Sequence, residues 1–371
     1  MSQPDKSVFE DAIRNFLGPV YDLLQDNSVS EILINGPKDI FIERGGKLFK
    51  TEAQFPDEDA LRAAVNNIAQ SIGRRVSESE PRLDARLPDG SRIAAVLPPC
   101  ARNGTTVSIR KFTQSKMSFR DYVMNGAITT DAAQFLDICM YLGKNILVSG
   151  GTGSGKTTLL SMLCSRIPKG QRVIVIEDSS ELNIQYEHVV MFETRQANQI
   201  GEGEVSMKDL LKSSLRLRPD RIIVGEVRSS EAMELINAMN TGHKGCLGTV
   251  HANSPEDAII RLESLAQSAD SKMSEKALRY QISSAIDIVV QISRYSDGSR
   301  RIASIAEVGG LTQDEKYDVK PIFQMSRMVR PPNGQLIGQI LPTGHVPRFM
   351  NEILDNQLPY PIGKFNKPTA A

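Results

Sequence analysis

Apolar positions along this chain change spacing several times, and each change marks a different kind of element. In VFEDAIRNFLGPVYDLLQD, Phe9, Ile13, Phe16, Leu17, Val20, Leu23 and Leu24 fall mostly at helical intervals. Gly18-Pro19 interrupts the run, which predicts two short amphipathic helices. Their apolar stripe either covers this chain's own core or docks a partner. Strict alternation follows in EILIN and DIFIER, with Gly45-Gly46 as a turn and KLFKTE returning, the pattern of antiparallel strands. From about Pro56 the spacing is helical again, with Leu61, Val65, Ile68 and Ile72 on one side. RLDARLPDGSRIAAVLPP predicts a hairpin around Asp89-Gly90, and Thr105 to Phe112 adds a strand. Residues 28–112 therefore make a small α+β domain behind an N-terminal helical segment, 1–27.

The segment 113–128 is polar, holds one short helix in SFRDYVMNG, and is assigned as a linker. The pattern from Thr129 onward is different. A helix, TTDAAQFLDICMYLG, leads into the apolar run NILVS, and RVIVIED, RIIVGEV and CLGTVHA follow, separated by helical stretches. Unbroken apolar runs alternating with helices predict buried parallel strands in an α/β sheet, with ligands at the strand C-termini. Beyond Asn253 the chain is helical to about Ala285. It then forms a hairpin turning near Asp297-Gly298 and ends in Pro-rich loops, with a short helix near Arg348–Leu354. Residues 129–371 are assigned to this second domain and its C-terminal extension.

Composition narrows the function. The 371 residues carry 44 basic and 44 acidic side chains, a formal net charge of zero, and aromatics make up 5% with no Trp. That argues against a nucleic-acid partner and against base-stacking platforms. No apolar run is long enough to span a bilayer, and MSQPDKSVFED lacks the features of a signal peptide. The expectation is a cytoplasmic protein that meets a membrane only through partners. The four cysteines, Cys100, Cys139, Cys164 and Cys246, form no C-x-x-C pair and are expected to be buried packing residues.

The chemistry begins at GGTGSGKTT, Gly150 to Thr158, a G-x-x-x-x-G-K-[ST] motif between a strand and a helix. Gly151, Thr152, Gly153, Ser154 and Gly155 form a turn whose N–H groups cradle phosphate, aided by the helix N-terminus. Lys156 reaches the β- and γ-phosphates, Thr157 completes a Mg²⁺ shell, and Thr158 continues the phosphate site. The next strands end in Glu177, Glu226 and His251, converging where the phosphates lie. Glu226 is the candidate to position or deprotonate the attacking water. Glu177 is the candidate to hold Mg²⁺ through coordinated water, and His251 to sense the γ-phosphate. Two arginine groups complete the inventory. Arg86, Arg92, Arg102 and Arg110 lie in the smaller domain, and Arg216, Arg218, Arg221 and Arg228 flank the RIIVGE strand. Planar guanidinium groups suit phosphate oxygens.

GGTGSGKTT, VIEDSSELN, LRLRPDRIIVGEVR and TGHKGCLGTVHANSP, in this order, resemble the Walker A motif, Asp box, Walker B motif and His box of the type II/type IV secretion ATPase superfamily. SEILINGPKDIFIERGGKL and RLDARLPDGSRIAAVLPP resemble its tight-adherence (CpaF/TadA-type) pilus branch. The resemblance implies a RecA-like P-loop domain with a smaller PAS-like N-terminal domain, and a homohexameric ring hydrolysing ATP with Mg²⁺. It further implies a role in pilus assembly or secretion at the inner membrane with membrane platform proteins, without direct nucleic-acid contact. Lys156 and Thr157 then bind phosphate and metal, Glu226 is the Walker B glutamate and Glu177 an Asp-box residue. His251 is the His-box residue, and Glu226 and Glu177 share the metal shell. Arg92 and Arg110 match the region supplying arginine fingers, with Arg86 beside them. A conjugation or type IV secretion traffic ATPase, or a pilus retraction motor, is the alternative. A GTP switch would need an N-K-x-D segment, whereas Asn366-Lys367 runs into Pro-Thr.

Overall fold

The computed structural model describes residue 14 and residues 16–87, 89–112, 117–197, 201–269, 273–332 and 334–368. The chain divides into two units, residues 1–114 and 115–371. Among the described residues the strands form two sheets, one of six strands and one of nine.

In the first unit a 3₁₀ turn, Gly18–Val20, leads into the short helix α1 (Tyr21–Gln25). Phe9 and Ile13 of the expected N-terminal helices lie outside the described residues. The alternating segments become β1 (Val29–Asn35), β2 (Ile40–Arg44) and β3 (Lys47–Lys50). The helix α2 (Glu58–Ser71) starts just after Pro56, because the Asp57 carboxylate caps it by accepting from the Ala60 N–H at 2.8 Å. β4 (Arg82–Arg86), β5 (Arg92–Val96) and β6 (Thr106–Arg110) complete an antiparallel sheet ordered β3-β2-β1-β6-β5-β4. Leu61, Val65 and Ile68 of α2 bury against Ile32, Ile34, Ile93 and Ile109 on one face. Period-two alternation sends the intervening positions, Arg86, Arg92 and Arg110 among them, to the other face.

The second unit opens with α3 (Phe119–Met124), whose Phe119 and Tyr122 are buried in this unit's core. α4 (Thr130–Leu142) delivers the chain to β7 (Ile146–Ser149), and α5 (Lys156–Cys164) follows the glycine-rich turn. Next come β8 (Val173–Glu177), β9 (Val189–Glu193), α6 (Met207–Ser214), β10 (Arg221–Val224) and α7 (Glu231–Asn240). β11 (Leu247–Val250), α8 (Pro255–Ala269), α9 (Glu275–Ala285), β12 (Ile288–Arg294) and β13 (Arg300–Leu311) follow. β14 (Tyr317–Met325), β15 (Ile340–Pro342) and α10 (Met350–Asp355) end the series.

The sheet order is β15-β14-β13-β12-β7-β11-β10-β8-β9. From β12 to β9 every pairing is parallel; β13, β14 and β15 extend it antiparallel. One face packs on α3, α4 and α5 through Phe135, Leu136, Leu159 and Leu163; the other packs on α6 to α9 through Leu211, Leu235, Ile259 and Ile282. β7 is flanked by β11 and β12, which come late in sequence, so the turn after it opens at a topological switch point, where such sheets bind ligands. The second unit is a RecA-like α/β domain, and the first is a small N-terminal α+β domain. β9, β14 and β15 are additions to the strands read from sequence. The C-terminal extension is pinned by Phe349, Tyr360 and Phe365, which with Phe323 surround Phe135 at centroid distances of 5.6–6.1 Å. Cys139, Cys164 and Cys246 are buried as expected, but Cys100 is exposed.

Candidate functional site

The turn between β7 and α5 carries the motif. Gly155 has φ +100°, a left-handed conformation that favours glycine, and it starts α5 with Lys156 as its first helical residue. Ser154 is buried and donates through Oγ to the Gly151 carbonyl at 2.8 Å, tying the turn closed; Thr157 and Thr158 are half-buried in the first turn of the helix. Gly151, Thr152 and Gly153 are exposed on the rim. The Lys156 ammonium is folded back, donating to the carbonyls of Gly150 and Gly151 at 3.0 Å each, with His251 Nε2 3.3 Å away.

Two strands away, backbone pairing fixes the acidic residue. Gly225 N–H donates to Ile176 O at 2.9 Å and Val227 N–H to Thr249 O at 2.8 Å, so Glu226 is held between the ends of β8 and β11. Its Oε1 lies 3.1 Å from His251 Nε2, and its Oε2 accepts from Arg228 Nη2 at 2.8 Å. Arg228 also reaches Asp178 Oδ2 at 3.4 Å. Lys156, His251, Glu226, Arg228 and Asp178 thus form one row across the C-terminal ends of β7, β11, β10 and β8. Burial works to raise the Glu226 carboxyl, but Arg228, His251 and Lys156 outweigh it and hold it below its ordinary value. His251 is held below its ordinary value by burial and by the Lys156 ammonium, so the imidazole is neutral near pH 7.

Glu177 ends β8 and is almost wholly buried. Its Oε1 accepts from the N–H groups of Glu181 and Leu182 at 3.0 and 2.9 Å, shaping the loop after the strand. Burial pushes its carboxyl up to about 7 in spite of these bonds. A Cβ on Gly225 would stand 2.9 Å from Glu177 Cγ, so this side chain needs a glycine beside Glu226. The Thr157 hydroxyl and the carboxyls of Glu226 and Glu177 are oxygen donors of the kind a hard cation such as Mg²⁺ prefers, with Glu226 held by His251 and Arg228 and Glu177 by two loop N–H groups.

The arginines divide sharply. In the first unit Arg86 pairs with Arg92 across β4–β5, and Arg92 with Arg110 across β5–β6, giving three arginines abreast on one face. Arg92 lies 3.8 Å from Asp84, whereas Arg86 donates to Gly90 O at 3.3 Å and stacks over Phe112, bracing its own hairpin. In the second unit Arg228 joins the Glu226 row. Arg221 is at the opposite end of β10, buried, donating to Gln171 Oε1 at 2.7 Å and Met140 O at 3.0 Å, and has a structural role. Sequence reading did not single out Arg294 and Arg300 of the β12–β13 hairpin; Arg300 Nε donates to Gly153 O at 2.9 Å. Only the pairing of β12 against β7, invisible in local pattern, brings them to the turn.

Residues 15–319 match the family described as Type II/IV secretion system protein. The chain belongs to that family. It is 35% identical over 295 residues to a putative conjugal transfer protein of Mycobacterium tuberculosis, covering 78% of this chain and 83% of the relative. To the type IV secretion system protein VirB11 of Bartonella quintana it is 32% identical over 327 residues, covering 78% and 91%. Its fold is that of the pilus retraction motor PilT in a crystal structure with bound ADP, with a TM-score of 0.56, 20% identity and coverage of 91% and 86%. Within this Type II/IV family the four motif segments and the row they form lie inside the matched residues. Among the described residues, no helix is long and apolar enough to cross a membrane.

Proposed function

We propose that this chain is an ATP-hydrolysing motor of a secretion or pilus-assembly machine, working as a homohexamer against membrane platform proteins at the cytoplasmic face of an inner membrane. One observation carries the reading. The phosphate-loop lysine lies 3.4 Å from Nδ1 of a neutral imidazole, and Nε2 of that ring lies 3.1 Å from an ionised carboxylate, in one row at the C-terminal ends of adjacent parallel strands. Such a row does what phosphoryl transfer requires: it grips phosphate, orients a water, and couples the presence of the terminal phosphate to movement.

On this reading Lys156 leaves the Gly150 and Gly151 carbonyls for the β- and γ-phosphates, and the loop N–H groups from Gly151 to Thr158 enclose them. Departure of Lys156 frees His251 to hydrogen-bond the γ-phosphate. His251 then shifts from Glu226, whose carboxylate accepts from the attacking water. Thr157 and the two glutamates would hold Mg²⁺, which when bound supplies charge neutralisation on the phosphates. Arg92 and Arg110 provide the remaining positive charge from the first unit of the same or a neighbouring copy, with Arg86 bracing them. An arginine so placed is typically worth about 10³–10⁵ in rate.

The motifs of the first unit support a tight-adherence-type pilus motor. The descriptions of the relatives in Mycobacterium and Bartonella favour the second reading, a conjugation or type IV secretion traffic ATPase. Turnover of ATP and GTP by the purified full chain, beside Lys156→Ala, tests the enzymatic core. Mg²⁺-dependent ATP turnover that Lys156→Ala abolishes is expected; no turnover by assembled wild-type oligomers contradicts it. Recovery of pilus subunits or of conjugation components in a cross-linked complex from cells separates the two branches.

A further inference from the structure

On the flank of the phosphate loop away from Glu226, the β12–β13 hairpin brings two more cations to the loop. Arg294, last in β12, and Arg300, first in β13, are direct partners in the antiparallel register, and both are exposed. The register thus sets two positive charges directly opposite each other at the open end of the strand pair. Both guanidinium groups lie along the loop. Arg300 Nε donates to Gly153 O at 2.9 Å. Its Cδ is 3.4 Å from where a Cβ on Gly155 would stand, with the Tyr122 hydroxyl 3.6 Å from the same point. Arg294 Nη1 is 3.7 Å from the corresponding position on Gly153, whose φ of +68° turns the loop at its rim.

The hairpin is held firmly enough to act as a wall. Tyr295 N–H donates to Ser299 O at 2.8 Å across its tip. Asp297, the acid in the turn, faces inward: its carboxylate accepts from the N–H groups of Ser299 and Leu336 at 3.0 and 2.9 Å. Arg301 projects to the side opposite Arg300 and donates to Gly338 O at 3.1 Å and to Leu336 O, fastening the hairpin to the C-terminal extension. Successive residues thus alternate, Arg300 toward the phosphate loop and Arg301 toward the extension.

We propose that Arg294 and Arg300 form a second cationic wall of the nucleotide site, recognising the polyphosphate of a bound nucleoside triphosphate from the β12 flank. Arg300 is a positioning residue that sets the loop through Gly153, and Arg294 a binding residue. The planar fork of each suits phosphate oxygens. This inference rests on the ATP-binding reading above.

The test uses the full chain and Arg294→Ala, Arg300→Ala and the two lysine variants. It measures steady-state ATP kinetics, binding of a fluorescent ATP analogue, and displacement of that analogue by inorganic tripolyphosphate, which has the phosphates and no base. In each alanine variant KM and the analogue's Kd should rise about tenfold, as expected when a charge-assisted bond is lost. Tripolyphosphate should weaken in parallel, kcat should stay within about twofold, and lysine, which keeps the charge without the planar fork, should recover part of the loss. Unchanged affinity, a fall in kcat at constant KM, or a loss that lysine does not relieve overturns the proposal. Wild-type turnover in the same assay separates the two readings. Its absence contradicts the proposed function and the inference with it; its presence beside unaltered variants overturns the inference alone.

Discussion

His251 Nε2 lies 3.1 Å from Glu226 Oε1, and the same nitrogen is 3.3 Å from the Lys156 ammonium. The imidazole therefore sits between the group that grips phosphate and the group that handles water. Its charge state decides whether it bridges or repels. Burial and Lys156 favour the neutral form, so protonation occurs only below the ordinary value of 6.5 and sets a second cation beside Lys156. ATPase activity should fall as pH drops below that value. His251→Asn should lower kcat about a hundredfold and lack this acid limb. A wild-type profile flat from pH 5 to 8 would contradict this role.

Glu177 offers a test in stability. Its carboxyl is raised to about 7 in the folded chain from an ordinary 4.5, so between these values the native state binds a proton that the unfolded state does not. Stability from this group is complete below 4.5 and lost as pH rises through 7. Glu177→Gln keeps an acceptor for the N–H groups of Glu181 and Leu182 without the buried charge. Its Tm relative to wild type should be higher at pH 8 than at pH 5, while ATP turnover falls. Thermal melts at the two pH values decide it; an equal difference at both contradicts the account.

Gly225 directly precedes Glu226 and packs against the Glu177 side chain. Gly225→Ala places a methyl 2.9 Å from Glu177 Cγ and should cost about 1–3 kcal/mol of stability through overpacking. Denaturant melts measure it, and a neutral substitution would mean that Glu177 repacks freely.

What was legible in the sequence was local. The phosphate turn is a contiguous run, and Glu177, Glu226 and His251 each end or follow an apolar run, so position alone pointed to them. What was not legible depends on pairing between distant segments. The ladder Arg86–Arg92–Arg110 exists because three strands share a register. Arg228 and Arg221 look alike in sequence, yet one closes on Glu226 and the other is buried at the far end of the strand. β9 was passed over although VVMF is an unbroken apolar run; it closes the sheet as a half-exposed edge strand. β14 was hidden because Pro321 lies within it.

The arginine ladder makes a separable prediction. Arg92→Ala and Arg110→Ala should each lower kcat about 10³-fold or more with little change in Tm, since both lie on the polar face of the sheet. Arg82→Ala, on the same face but outside the ladder, should change kcat less than about twofold. Turnover by the purified variants checks this. Equal effects at Arg82 and Arg110 would show a general electrostatic contribution instead of fingers.

The most direct test of the whole account is a paired measurement on Glu226→Gln: affinity for a fluorescent ATP analogue and single-turnover hydrolysis of ATP. The account requires affinity within a few-fold of wild type and hydrolysis lowered at least about a hundredfold. Hydrolysis at the wild-type rate would contradict it.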